Sequence, residues 1–159
     1  MRNEKNTINT SSITVKCILQ YDPVEENFDV NLHLVCLNKK QEVCDIINYS
    51  RSNSAIKYVK SDDSAEEFSL DLSRMGEITD ICFVVTILNG LKRNQNLTMI
   101  RQISFAISEC NVELKFNDLS ELSGETALVI GRVYLTNGIW KFEKMQEAYA
   151  ANLAYQIFL

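Results

Sequence analysis

Apolar and polar residues alternate along residues 12–20. Ile13, Val15, Cys17 and Leu19 fall on one side, and Thr14, Lys16 and Gln20 on the other. A period of two residues is the pattern of a strand with one buried face. Residues 27–37 repeat it, with Phe28, Val30, Leu32 and Leu34 opposite Asn27, Asp29, Asn31 and His33. Phe68, Leu70 and Leu72 alternate with Ser69 and Asp71. Residues 81–88 are apolar at nearly every position and β-branched at several, which predicts a central strand buried on both faces. Shorter runs at 44–49 and 55–59 predict further strands, and 103–107 with 112–116 predicts a hairpin joined near Glu109-Cys110-Asn111.

The strongest local signal lies at residues 125–143. Two apolar runs, 127–135 and 139–142, flank Thr136-Asn137-Gly138. Asn-Gly supplies the positive φ angles of a tight hairpin turn. Polar segments at 21–26 (with Pro23), 38–42, 50–54, 61–67, 89–96 and 117–124 read as loops. Residues 1–11 are polar and are expected to be loose. Residues 147–157 carry Ala148, Ala150, Ala151, Leu153 and Ala154, which favour helix, and predict a short terminal helix. Many short strands with polar turns predict an all-β, antiparallel β-sandwich with a short C-terminal helix, as one domain over 12–159. An open barrel is the alternative.

Composition narrows the function. A net charge of −5 gives no basic footprint, so no nucleic-acid partner is expected. No apolar run reaches the roughly eighteen residues of a membrane span. The first residues, Met1-Arg2-Asn3-Glu4-Lys5, lead into polar sequence rather than an apolar signal core, so a cytoplasmic location is expected. The five cysteines form no C-x-x-C pair, which argues against a zinc knuckle or a thioredoxin-like site. Cys17 and Cys82 lie inside strand patterns, where a free cysteine acts as a small hydrophobe. The single histidine, His33, would have to serve any Ser/His/Asp or Cys/His arrangement, and Cys36, three residues on, falls on the opposite strand face. The five glycines form no phosphate-cradling G-x-x-x-x-G-K loop.

The order Glu125-Thr126-Ala127, Gly131, Tyr134 and Asn137-Gly138-Ile139-Trp140-Lys141-Phe142 resembles the last hairpin of TerD-family proteins, the tellurium-resistance and general stress proteins. Further pieces follow that family's pattern in the same order. They are Asp71-Leu72-Ser73, then Ile81-Cys82-Phe83-Val84-Val85-Thr86-Ile87, Asn94-Gln95-Asn96 and Asp118-Leu119-Ser120. Asn94 and Leu97 stand where the family usually has glycine and phenylalanine. The resemblance implies a TerD-like sandwich and a non-enzymatic binding or scaffold role in stress or tellurium resistance. It also implies protein partners among other resistance proteins, in a complex at the inner face of the membrane.

The resemblance also implies calcium. The family carries Asp-Phe-Asp-Leu-Asp on a strand and a glycine-rich loop ending Gly-Asp-Asp-Glu. Calcium takes roughly six to eight hard oxygens, and carboxylates at alternate strand positions share one face. Here the strand reads Asn27-Phe28-Asp29-Val30-Asn31, with two carboxamides in place of carboxylates. The loop is shorter, has no glycine, and ends Ser64-Ala65-Glu66. The acidic run at 62–67 then reads as a solvated loop. Asp29, Asn31, Asp62 and Glu66 are the candidate metal ligands, with calcium affinity of about 10⁻⁴–10⁻³ M or none. Two alternatives accompany the scaffold reading: a calcium-binding sensor of the family, and an enzyme using His33.

Overall fold

β7 (Asp80–Ile87) is buried at every position and lies inside a six-stranded antiparallel sheet. In the computed structural model, residues 6–22, 28–62, 65–117, 119 and 122–158 are described. The first sheet is formed by β1 (Asn6–Ile8), β11 (Ile139–Tyr149), β10 (Ala127–Thr136), β7, β3 (Val30–Leu37) and β4 (Val43–Ile47), in that spatial order. The second has β5 (Ile56–Asp62), β6 (Ala65–Asp71), β2 (Ser12–Tyr21), β8 (Ile100–Ile107) and β9 (Val112–Phe116). Every pairing is antiparallel. The predicted β-sandwich is what the chain forms.

The core between the sheets is centred on Phe83, Phe105 and Phe142, all buried. Phe83 and Phe105 ring centroids are 5.0 Å apart, and Phe105 stacks on Phe142 at 5.8 Å. Gly131 makes room for this cluster, since a Cβ there would lie 2.6 Å from Phe142 Cζ and 2.6 Å from the Glu143 carbonyl oxygen. The predicted hairpin is present: Thr136 pairs with Ile139 across Asn137 (φ 50°) and Gly138 (φ 77°). The hairpin at 100–116 turns through a 3-10 segment, Ser108–Cys110, and the left-handed Asn111.

A second apolar layer explains why β7 is buried on both faces. Val35, Leu37, Cys82, Val84, Ala127 and Val129 point away from the main core, and Ala154, Ile157 and Phe158 pack over them. The C-terminal helix is thus a five-residue 3-10 helix, Ala154–Phe158, covering the outer face of the first sheet. Helical character begins later than residue 147. Pairing with β10 carries β11 on to Tyr149, with Ala148 opposite Leu128, so ladder bonds override the alanine-rich local preference. Thr126 anchors the segment: its hydroxyl accepts from Ala151 N at 2.8 Å and donates to Ala151 O.

Three further expectations change. Asn6–Ile8 is not loose but pairs with Trp140–Phe142, because β11 has an open edge to fill; Met1–Lys5 lie outside the described residues. The polar loop at 89–96 contains one helical turn, α1 (Gly90–Arg93), flanked by left-handed Asn89 and Asn94. The acidic run at 62–67 is not a solvated loop throughout. β5 runs to Asp62 and β6 starts at Ala65, and Glu66 points inward on the same side as Phe68 and Leu70. Strand pairing with β2 sets that orientation. Asp63 and Ser64 lie outside the described residues, as do Asn27, Asp118 and Ser120.

Candidate functional site

The candidate site lies where β4 ends. β4 pairs with β3 only from Leu34 to Leu37, with Ile47 opposite Leu34. Beyond that point, among the described residues, the edge of β3 lacks a strand neighbour. Glu66 reaches across from the second sheet and accepts a hydrogen bond from Leu32 N through Oε2, at 2.8 Å. A carboxylate therefore stands in for the missing strand and joins the two sheets, satisfying a buried backbone donor.

Asp29 sits just before β3, held by its own carbonyl, which accepts from Leu88 N at 2.8 Å. Asn31 Nδ2 donates to Asp29 Oδ1 at 2.6 Å. The structure thus brings together Asp29, Asn31 and Glu66. Burial, with a smaller contribution from the Asp29 charge, pushes the Glu66 carboxyl up to about 7, against the hydrogen bond from Leu32. Its second oxygen, Oε1, is buried with no hydrogen-bond partner among the described residues. Asp62 closes β5 opposite Ala65, so its backbone is next to that of Glu66. Among the described residues, no group of three or more His, Cys, Asp or Glu side chains is arranged to hold a metal ion.

His33 lies along the same outward row as Asn31. Asn48 Nδ2 is 3.4 Å from its Nδ1. Burial pushes His33 down to about 4, opposed by the smaller pull of Asp29. At neutral pH it is an uncharged, half-buried packing group. Cys36 faces the main core on the other side of β3, as the spacing requires. Burial raises the thiols of Cys17 and Cys36 far above the ordinary range and that of Cys82 to about 12. Among the described residues these cysteines are free and unactivated.

Two participants were not apparent in the sequence. One is the backbone of Leu32. The other is Thr86, opposite Asn31 in register, whose buried hydroxyl has no hydrogen-bond partner among the described residues. Backbone donors leave no signal in residue type, and Thr86 reads as an ordinary β-former.

Several of the shared motif residues turn out to shape turns. Asp71 accepts from Ser73 N at 3.0 Å and caps a 3-10 turn, Leu72–Arg74. Asn96 does the same for Thr98 N at 3.0 Å. Glu125 accepts from Ser123 N at 2.8 Å.

Two antiparallel sheets packed face to face, with a carboxylate closing one sheet edge and turns set by Asp, Asn and Glu, place the chain among the antiparallel β-sandwich proteins. The TerD domain pattern matches residues 3–157, and the chain belongs to the TerD domain family. It is 32% identical over 117 residues to chemical-damaging agent resistance protein B of Clostridium acetobutylicum, covering 67% of this chain and 84% of that protein. It is 37% identical over 93 residues to general stress protein 16U of Bacillus subtilis (strain 168), covering 56% of this chain and 48% of that protein. The match therefore spans about half the length of the latter. In structure, it resembles a homologue of telluride resistance protein (TerD) from Streptomyces coelicolor A3(2), with a TM-score of 0.70 at 14% identity, over 89% of this chain and 91% of that one. No helix among the described residues is long and apolar enough to cross a membrane.

Proposed function

We propose that this chain is a non-enzymatic binding or scaffold module of the stress and tellurium-resistance response, with a weakened calcium site. It would work in the cytoplasm with protein partners of the same response. One observation carries the reading. Two of the candidate ligand oxygens are already engaged. Asp29 Oδ1 accepts from Asn31 Nδ2, and Glu66 Oε2 accepts from Leu32 N. A calcium cage needs roughly six to eight free oxygens and enough negative charge. Here one carboxylate is partly protonated near neutral pH, and two of the family's strand carboxylates are carboxamides.

The calcium-sensor reading has one observation in its favour, the orphaned Oε1 of Glu66 close to Asp29. A cation between the two carboxylates would relieve both the orphan and the repulsion. Titration calorimetry and melting curves with calcium and with chelator separate the readings. The scaffold reading expects a Kd of about 10⁻⁴–10⁻³ M or no heat, and no change in Tm at micromolar calcium. Micromolar binding abolished by Asp29→Ala would replace it with the sensor reading.

A further inference from the structure

We propose that β9 is a self-complementary edge through which two copies of this chain pair, joining their five-stranded sheets into one. β9 is the outer strand of the second sheet and, among the described residues, has a strand neighbour, β8, on one side only. Alternate residues of an antiparallel edge strand turn their N–H and C=O groups outward, ready to bond a further strand.

The side chains of β9 alternate cleanly. Val112 and Phe116 are buried, Leu114 is half-buried against the main core, and Glu113 and Lys115 are exposed on the outer face. In an antiparallel pairing of β9 with itself in full-length register, Leu114 meets its own copy. Glu113 then meets Lys115 of the other chain on the outer face, twice by symmetry. Val112 meets Phe116 on the inner face, also twice. Opposite charges and apolar residues directly across a ladder are favourable, and a C2 interface requires this self-matching.

The other three sheet edges fail the same test. β4 in full-length register sets Asp45 against Asp45, and that aspartate is already paired with Arg51 at 2.8 Å. β5 in the same register sets Val59 against Val59 and leaves Lys57 with no acid to meet. β1 has only three residues, with Asn6 against Ile8. Lysine on an edge commonly prevents edge-to-edge pairing. Lys115 would do so here if Glu113 did not stand two residues away.

Five residues per copy make a small contact, so the pairing is weak and reversible, at the low end of interface sizes. A dissociation constant of about 0.1–1 mM at low salt is expected. Sedimentation equilibrium on the full chain from about 10 µM to 1 mM tests this, with circular dichroism confirming the fold of each variant. The native chain should dimerise with rising concentration and less so at high salt. E113K and K115E should each stay monomeric at ~1 mM, because like charges then face each other. An equimolar mixture of the two variants should associate at least about tenfold more tightly than either alone, since every cross-strand pair is then matched. The double variant E113K/K115E should dimerise like the native chain. A native chain that is monomeric at ~1 mM overturns the proposal. So does a dimer that E113K leaves intact, or a mixture no tighter than its parts.

Discussion

Glu66 Oε2 accepts a hydrogen bond from the backbone N–H of Leu32 at 2.8 Å, across the gap between the two sheets. The bond makes the first sheet depend on a titratable group of the second. Folding raises the Glu66 carboxyl from an ordinary 4.5 to about 7. Its protonated form is thus favoured in the folded state. The stabilisation is full below about pH 4.5 and is lost as pH rises through about 7. Glu66→Gln keeps an acceptor for Leu32 and cannot ionise. The variant should lose this alkaline-side slope and be more stable than the native chain at pH 8, by on the order of 2–3 kcal/mol. Urea unfolding at pH 5 and pH 8 measures it.

His33 works in the opposite sense. Its folded value, about 4, is below the ordinary 6.5. Stability from the neutral ring is present above about pH 6.5 and is lost as pH falls toward 4. His33→Gln should flatten the acid limb of the stability profile between pH 6.5 and 4. An acid limb unchanged in His33→Gln would assign that limb to other groups.

Phe83 belongs to the aromatic cluster and is fully buried. Phe83→Ala should cost about 3–5 kcal/mol, from lost transfer energy and an unfilled cavity. A loss below about 1 kcal/mol would show that β7 is not the organising strand.

Gly131 and Phe142 share one space. An added Cβ would lie 2.6 Å from both the Phe142 ring and a backbone oxygen of Glu143, and the backbone atom cannot rotate away. Gly131→Ala should therefore cost about 1–3 kcal/mol or more through overpacking. Thermal melts of Gly131→Ala alone and with Phe142→Leu check the cause, since the smaller ring-free side chain should recover part of the loss.

Thr126 ties the C-terminal segment to the sheet by bonding both backbone groups of Ala151. Thr126→Val keeps the shape and leaves those buried groups unpaired, at a cost of about 2–4 kcal/mol. Hydrogen exchange should rise first in residues 150–158, before the central strands open.

The local pattern alone determined much of this molecule. Alternation in β2, β3 and β6 assigned their buried faces, because a strand's period is independent of its neighbours. Asn137-Gly138 set the last hairpin, because its backbone angles are a property of two residues. The uniform apolarity of β7 announced burial on both sides, but not what lay on each. Only the tertiary structure decided that Ala154–Phe158 covers the outer face, that β11 continues to Tyr149, and that Asn6–Ile8 completes the sheet. Each depends on an open ladder edge or an uncovered face far away in the chain. The candidate site divides the same way. Asp29 and Asn31 were legible as oxygen donors on one strand face. Glu66 read both as a candidate ligand and as part of a solvated acidic run. Pairing with β2 turns it inward, where it meets Leu32 N, 34 residues away in sequence. Among the described residues, that donor is left without a strand partner because β4 stops at Ile47. Residue type can announce a charge, but the unpaired donor that meets it exists only once the sheets have formed.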